Sequence, residues 1–80
     1  MPNELKTAQK VIGAKQVGRA LRNGQAQRVY LAENADPRVT EPIEMLCGEV
    51  CVPVERISTM AQLGNLCGIA VGSAVAAIVE

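Results

Sequence analysis

From Ile57 to Val79 the chain runs twenty-three residues without an Asp, Glu, Lys or Arg. What that stretch can become limits everything else. A membrane-spanning helix needs about 20 predominantly apolar residues. Here Ser58, Thr59, Gln62, Asn65 and Ser73 interrupt, and the truly apolar part, "LCGIAVGSAVAAIV", has only fourteen. Gly64, Gly68 and Gly72 stand four apart, a spacing that packs helices only within a genuine span. The stretch therefore belongs to the interior of a soluble domain. Eighty residues leave room for one core, so residues 1–80 are expected to form a single domain.

The stretch divides into three pieces. Ser58 suits a helix N-cap, and Met60, Leu63 and Leu66 or Cys67 follow at helical spacing. Gly68 suits the helix C-terminus, where φ can be positive. "SAVAAIVE" is rich in small and β-branched residues and reads as a buried strand. Gly68 to Ser73 is then a loop whose tip, Ile69-Ala70-Val71, is apolar. Such a tip either covers a partner or tucks Ile69 and Val71 back into the core.

The rest of the chain follows the same logic. "NELKTAQKVI" puts Leu5, Ala8 and Ile12 on one side behind Asn3 as N-cap, which predicts a helix. "AKQVGRALRN" predicts a second, ending at Gly24 as a C′ glycine. "RVYLAE" predicts a strand. Asp36 is the expected cap and Pro37 the first residue of the next helix. Pro42 is expected to end that first turn, with a fresh helix from Thr40 carrying Ile43, Leu46 and Cys47. "CVPVERI" predicts a strand with Pro53 at its start or on an edge. The order α-α-β-α-β-α-β predicts an α/β fold, a small sheet sandwiched by helices.

Composition narrows the chemistry. Tyr30 is the one aromatic residue, so the core is aliphatic. The three cysteines, Cys47, Cys51 and Cys67, are an odd number, and the N-terminus "MPNELKTAQK" is charged and polar. Free thiols, a reducing cytoplasmic compartment and a monomer are expected. With no His and no fourth thiolate to complete a zinc site, no metal is expected. No catalytic constellation or phosphate loop is visible, so the expectation is a binding module with no cofactor rather than an enzyme.

Net charge is zero, but the halves differ. Residues 1–30 carry +5 and residues 31–80 carry −5. Lys15, Arg19 and Arg22 stand at i, i+4 and i+7 on the side of the second helix opposite its apolar stripe, Val17, Ala20 and Leu21. A helix N-terminus already carries partial positive charge, so cations there are locally unfavourable. Gly13 allows close approach, free N–H groups follow it, and Lys15 stands at the rim: a phosphate-binding surface. Gln16 and Lys15 are placed to reach base edges. The alternative is an ordinary solvated basic face.

Together, "GAKQVGRALRNG" and "LGNLCGIAVGSAVAAI", with "AENADP" between them, resemble the L-seven-Ae / L-thirty-e ribosomal protein family, most nearly its small bacterial members. The likeness covers nearly the whole chain, in order and with matching spacing. It implies a three-layer α/β/α sandwich around a small four-stranded mixed sheet, with an extra strand near Val11 to Gly13. It further implies an RNA partner, the kink-turn with tandem sheared G·A pairs, and a ribosomal or ribosome-associated setting. Residues matching Gly13, Lys15, Gln16 and Arg19 meet the guanines and backbone at the kink. The loop matching Ile69, Ala70 and Val71 covers the extruded nucleotide, and apolar contact with an unstacked base is a common mode of RNA recognition. This chain has Ala70 where relatives often have an acid, and Ala61 and Gln62 where close bacterial relatives often have lysines. A second reading keeps the fold as a protein-interaction or structural domain without kink-turn affinity.

Overall fold

The computed structural model describes residues 9–79. The helix expected behind Asn3, with Leu5 and Ala8, falls outside them, apart from its last residues. Those, Lys10–Ile12, form strand β1 rather than the end of a helix. Lys10, Val11 and Ile12 pair with Ile78, Ala77 and Ala76, so their backbone groups belong to a sheet. This is the extra strand implied by the family resemblance.

Six further elements follow: α1 (Ala14–Arg22), β2 (Ala26–Ala32), α2 (Pro37–Val50), β3 (Val54–Ile57), α3 (Met60–Leu66) and β4 (Val75–Val79). The strand order is β1-β4-β2-β3. β1 and β2 both run antiparallel to β4, and β3 runs parallel to β2. The sheet is therefore mixed. Pro53 lies just before β3, an edge strand, and its carbonyl accepts from the Val29 N–H at 3.0 Å.

The two central strands are covered on both faces. Val29 and Leu31 of β2 and Val75 and Ala77 of β4 face one way, into a cluster with Val17, Ala20 and Leu21 of α1 and Ile43 and Cys47 of α2. Tyr30, Ala32, Ala76 and Ile78 face the other way, against Leu63 of α3 and Cys67 just after it. The period of two along each strand thus fills both layers of an α/β/α sandwich. Ala76 and Ala77 are fully buried, and their small side chains leave the flanking helices room to close on the sheet. Burial pushes the thiols of Cys47 and Cys67 above their usual pKa, as expected of cysteines that serve as small apolar residues.

Helix ends follow local chemistry, with two differences from expectation. α1 closes on Gly24 at φ 72°, with Gln25 N–H donating to Ala20 O at 2.9 Å and Gly24 N–H to Leu21 O at 3.3 Å; this is the Schellman arrangement. α2 starts at Pro37 behind Asp36 but does not break at Pro42. Pro42 lacks one intrahelical N–H and its ring crowds the carbonyl of Arg38. Both residues are exposed, while Val39, Ile43, Leu46 and Cys47 pack on the sheet and keep the helix continuous. α3 is capped by Thr59 rather than Ser58, its hydroxyl accepting from the Gln62 N–H at 3.1 Å.

Two predictions follow from these ends. The Arg38 side chain pairs with Asp36 at 2.9 Å, and the Arg38 N–H bonds the same carboxylate. The pair holds the Asp36 carboxyl below its ordinary value of 3.8, the guanidinium contact being the larger cause. Because the folded pKa is the lower one, this contribution is complete above the ordinary value and is lost as pH falls through the folded value. In urea unfolding, the stability difference between the parent and Asp36→Asn should be flat above about pH 5 and should shrink below that, into the acid range. At the other end of α2, Cys51 is the only non-glycine at positive φ among the described residues, at 59°. A side chain in that conformation costs about 1–2 kcal/mol, part of which glycine returns as unfolded-state entropy. Cys51→Gly should raise stability by about 1 kcal/mol in the same assay.

Candidate functional site

The topology gathers several chain segments at one end of the sheet. β1 ends there at Ile12 and leads into α1, and β4 begins there at Val75. β2 and β3, parallel to one another, end there at Ala32 and Ile57. The N-terminus of α1, the "ENADP" turn, the N-terminus of α3 and the loop of residues 67–74 therefore share one rim. Two bonds tie the rim to the sheet: Gly13 N–H to Val75 O and Ala32 N–H to Ala74 O, each 2.9 Å.

Gly13 takes φ 100° and ψ 147°, a conformation open to glycine. No atom would obstruct a Cβ there, so the backbone turn, not space, requires the glycine. The turn aims the start of α1 outward. No side chain caps this helix and its first turn holds no acid. Among the described residues, the N–H groups of Ala14, Lys15 and Gln16 have no acceptor. Unfilled donors at a helix N-terminus carry partial positive charge and favour an anion.

The cations sort themselves in a telling way. Arg28 pairs with Glu55 at 3.6 Å, Arg38 pairs with Asp36, and Arg56 pairs with Glu44. Lys15, Arg19 and Arg22 have no acidic partner among the described residues, and all are exposed. Gln16 is exposed beside them. Of the four described cations without an acidic partner, three thus lie on the outer face of α1, the fourth being Lys10 of β1. A basic face of this kind attracts a polyanion even on a chain of zero net charge.

The loop after α3 owes its path to the three glycines. Gly68 turns at φ 79°, and Gly68 N–H to Asn65 O and Ile69 N–H to Gly64 O, both 3.0 Å, close α3 in a second Schellman motif. The chain then passes back over the helix. A Cβ on Gly64 would stand 2.0 Å from the Val71 carbonyl oxygen, and one on Gly72 would stand 3.2 Å from Met60 Cβ. Ser73 N–H completes the strap by donating to Met60 O at 3.0 Å. The fourfold spacing is a backbone crossing between helix and loop, not a membrane face. No helix among the described residues is long and apolar enough to cross a membrane.

The loop tip is not uniformly outward. Ile69 is half-buried and packs against the cluster that holds Leu63 and Cys67. Of the two placements open to the tip, Ile69 takes the inward one: it sits at the C″ position of the Schellman motif, where an apolar side chain turns back onto its own helix. Ala70 is exposed and Val71 is 70% exposed. The apolar surface presented to solvent is therefore Val71 and Ala70, with Ile69 as the anchor beneath. Met60, 37% exposed, lies next to this surface below Gly72.

One positioning residue escaped sequence reasoning. The Asn34 side chain accepts from the Met60 N–H at 2.8 Å, pinning the first turn of α3 to the turn after β2. "AENADP" carries the asparagine, but a turn signal alone says nothing of a bond twenty-six residues away. Among the described residues no group of acids, histidines or cysteines has the arrangement of a metal site.

An α/β/α sandwich with an uncapped basic helix start and a strapped loop on one rim defines a small member of a known fold group. The chain belongs to the ribosomal protein L7Ae/L30e/S12e/Gadd45 family, whose model matches residues 1–80. Within it the chain is of the YbxF type. It is 43% identical over 70 residues to the RNA-binding protein YbxF of Geobacillus stearothermophilus, covering 88% of this chain and 85% of that one. An RNA-binding protein of a Geobacillus species is 40% identical over 76 residues, 95% of this chain and 93% of its own. The fold also superimposes on the 15.5kD RNA binding protein of Giardia lamblia with a TM-score of 0.89 and 27% identity, over 99% of this chain and 70% of that one.

The helix–loop crossing can be tested directly. Gly64→Ala forces a methyl group against the Val71 carbonyl and should destabilise the protein by about 1–3 kcal/mol, the usual range for overpacking. Gly18→Ala is the control. Its Cβ would meet Ile43 Cδ1 at an ordinary 3.7 Å, and alanine is the better helix former. Thermal unfolding should rank the proteins Gly18→Ala at or above the parent and Gly64→Ala clearly below.

Proposed function

We propose that the protein binds and stabilises kink-turn RNA, recognising its tandem sheared G·A pairs, and acts as a cytoplasmic monomer on or near the ribosome. The observation that supports this reading is the convergence on one rim of two features suited to an irregular RNA. One is the uncapped N-terminus of α1 with Lys15 and Arg19, cations without an acidic partner among the described residues. The other is the exposed apolar tip formed by Ala70 and Val71.

Each part has a separate role. Free N–H groups after Gly13 and the cations Lys15, Arg19 and Arg22 attract and position the phosphate backbone, which is sequence-independent. Gln16, with a donor and an acceptor on one amide, reads base edges opened by the sheared pairs. Val71 and Ala70 lie over an unstacked nucleotide, while Ile69 holds the loop in place from below. The names of the relatives, RNA-binding proteins of bacteria and of Giardia, support the same assignment. No catalytic step is part of this reading.

The test is a gel shift with a kink-turn and with the same RNA after its G·A pairs are replaced. The parent should prefer the kink-turn. Arg19→Ala should weaken both complexes alike, since a phosphate contact carries no sequence information. Gln16→Ala should narrow the gap between them by about 1–3 kcal/mol, the usual value of a base contact. Roughly three phosphate contacts imply a log–log salt slope of about −2 to −3. Equal affinity of the parent for both RNAs would leave the protein-interaction reading in its place.

A further inference from the structure

Asn34 stands in the turn between β2 and α2, on the rim that also carries the start of α1 and the strapped loop. Its side-chain oxygen accepts from the Met60 N–H at 2.8 Å. Of the two ends of the amide, only the oxygen can accept from a backbone N–H, so this bond decides which end faces α3. The Nδ2 group has no acceptor among the described residues, and Asn34 is exposed. The loop that carries Ala70 and Val71 is fastened to the same residue of α3. Ser73 N–H donates to Met60 O at 3.0 Å, and Gly72 passes over Met60 Cβ. Asn34 and the loop are thus both anchored at Met60, itself 37% exposed.

We propose that Asn34 sets the base preference of the site: its Nδ2 group donates to a carbonyl oxygen of the unstacked nucleotide that Ala70 and Val71 cover. This rests on the proposed RNA-binding function and adds a specificity-determining residue to it. The surroundings carry the assignment. Ala70, Val71 and Met60 bring no donor side chain. Glu33 and Asp36, in the same turn as Asn34, only accept when ionised, and the Asp36 carboxylate is already engaged by Arg38. The Ser73 hydroxyl is committed to Val75 O at 2.8 Å. Asn34 is therefore the exposed side-chain donor of the turn and the strap, and its orientation is set before any RNA arrives. An apolar cover tolerates any base, since every base has a face. Discrimination then falls to a polar group at the base edge. A fixed donor is satisfied by the carbonyl of a uracil or guanine. Adenine has no carbonyl, and an amino group in that place leaves the donor unpaired, at a cost.

The test uses filter binding with kink-turns that differ only in the unstacked nucleotide at the kink, which is uracil, adenine or abasic. The parent should bind the uracil form about 2- to 10-fold more tightly than the adenine form, the worth of one neutral hydrogen bond. Asn34→Asp keeps an oxygen for the Met60 N–H and replaces the donor by an acceptor. Its thermal unfolding should match that of the parent. Its preference should be lost or reversed, adenine over uracil, whatever the added charge does to all three affinities. A purely structural role for Asn34 would leave the ratio of the two affinities unmoved in this variant. Equal binding of the uracil and adenine forms by the parent overturns the inference, as does the same ratio in parent and variant. An equal loss for all three RNAs, the abasic one included, assigns Asn34 to a sugar or phosphate oxygen and overturns it too. Failure of the parent to bind any of the three overturns the proposed function, and this assignment with it.

Discussion

The antiparallel pairing of β2 with β4 is the contact on which every other element rests. Val29 stands opposite Ala77, Tyr30 opposite Ala76 and Leu31 opposite Val75. Each of these residues is buried, and successive ones face opposite layers. A shift of one residue would exchange the two layers and leave neither helix layer with its apolar partners. The chain meets this demand with almost no aromatic mass. Aliphatic side chains and alanines fill the sandwich, and fully burying a Val or Leu contributes about 1.5–3 kcal/mol relative to exposure.

The rim is built from what the sheet leaves over. Strands that end together deliver a glycine turn, an asparagine turn and a strapped loop to the same place. The three segments are fastened by backbone bonds and by Asn34, not by long side chains. Side chains at the rim are therefore left available. The contrast between α1 and the other arginines makes the same point. Arg28, Arg38 and Arg56 are paired with neighbours supplied by β3, by the cap of α2 and by α2 itself, whereas the cations of α1 are exposed and have no acidic partner among the described residues.

Much of this was legible in the sequence. The strands announced themselves because they are β-branched and continuous, and α1 because its apolar stripe ends at a glycine. What failed to show had a physical reason. β1 is three residues long and carries no alternation strong enough to outweigh the helical spacing of Leu5, Ala8 and Ile12. Pro42 reads as a stop in isolation, yet packing of Ile43 and Cys47 on the sheet carries the helix past it. Lys15 stands out in the sequence because a cation in the first turn of a helix breaks a local electrostatic rule. The placement of Ile69 stayed open because an apolar residue in a loop looks the same whether it anchors the loop or crowns it. Asn34 and Gly64 act across the fold, and their roles exist only once distant segments meet.

The strap over α3 has a bearing on the cost of recognition. A binding loop that is disordered before it meets its partner must be immobilised at that moment, and the lost freedom is subtracted from the affinity. Here Ile69 and Ser73 are already fixed to the helix by their amides, and the carbonyl of Val71 rests against Gly64. The entropy of ordering this loop is spent during folding, when the whole cooperative core offsets it. A protein of eighty residues with few charges to spend can in this way make a small contact surface count, because little of what the contact yields is consumed in shaping it.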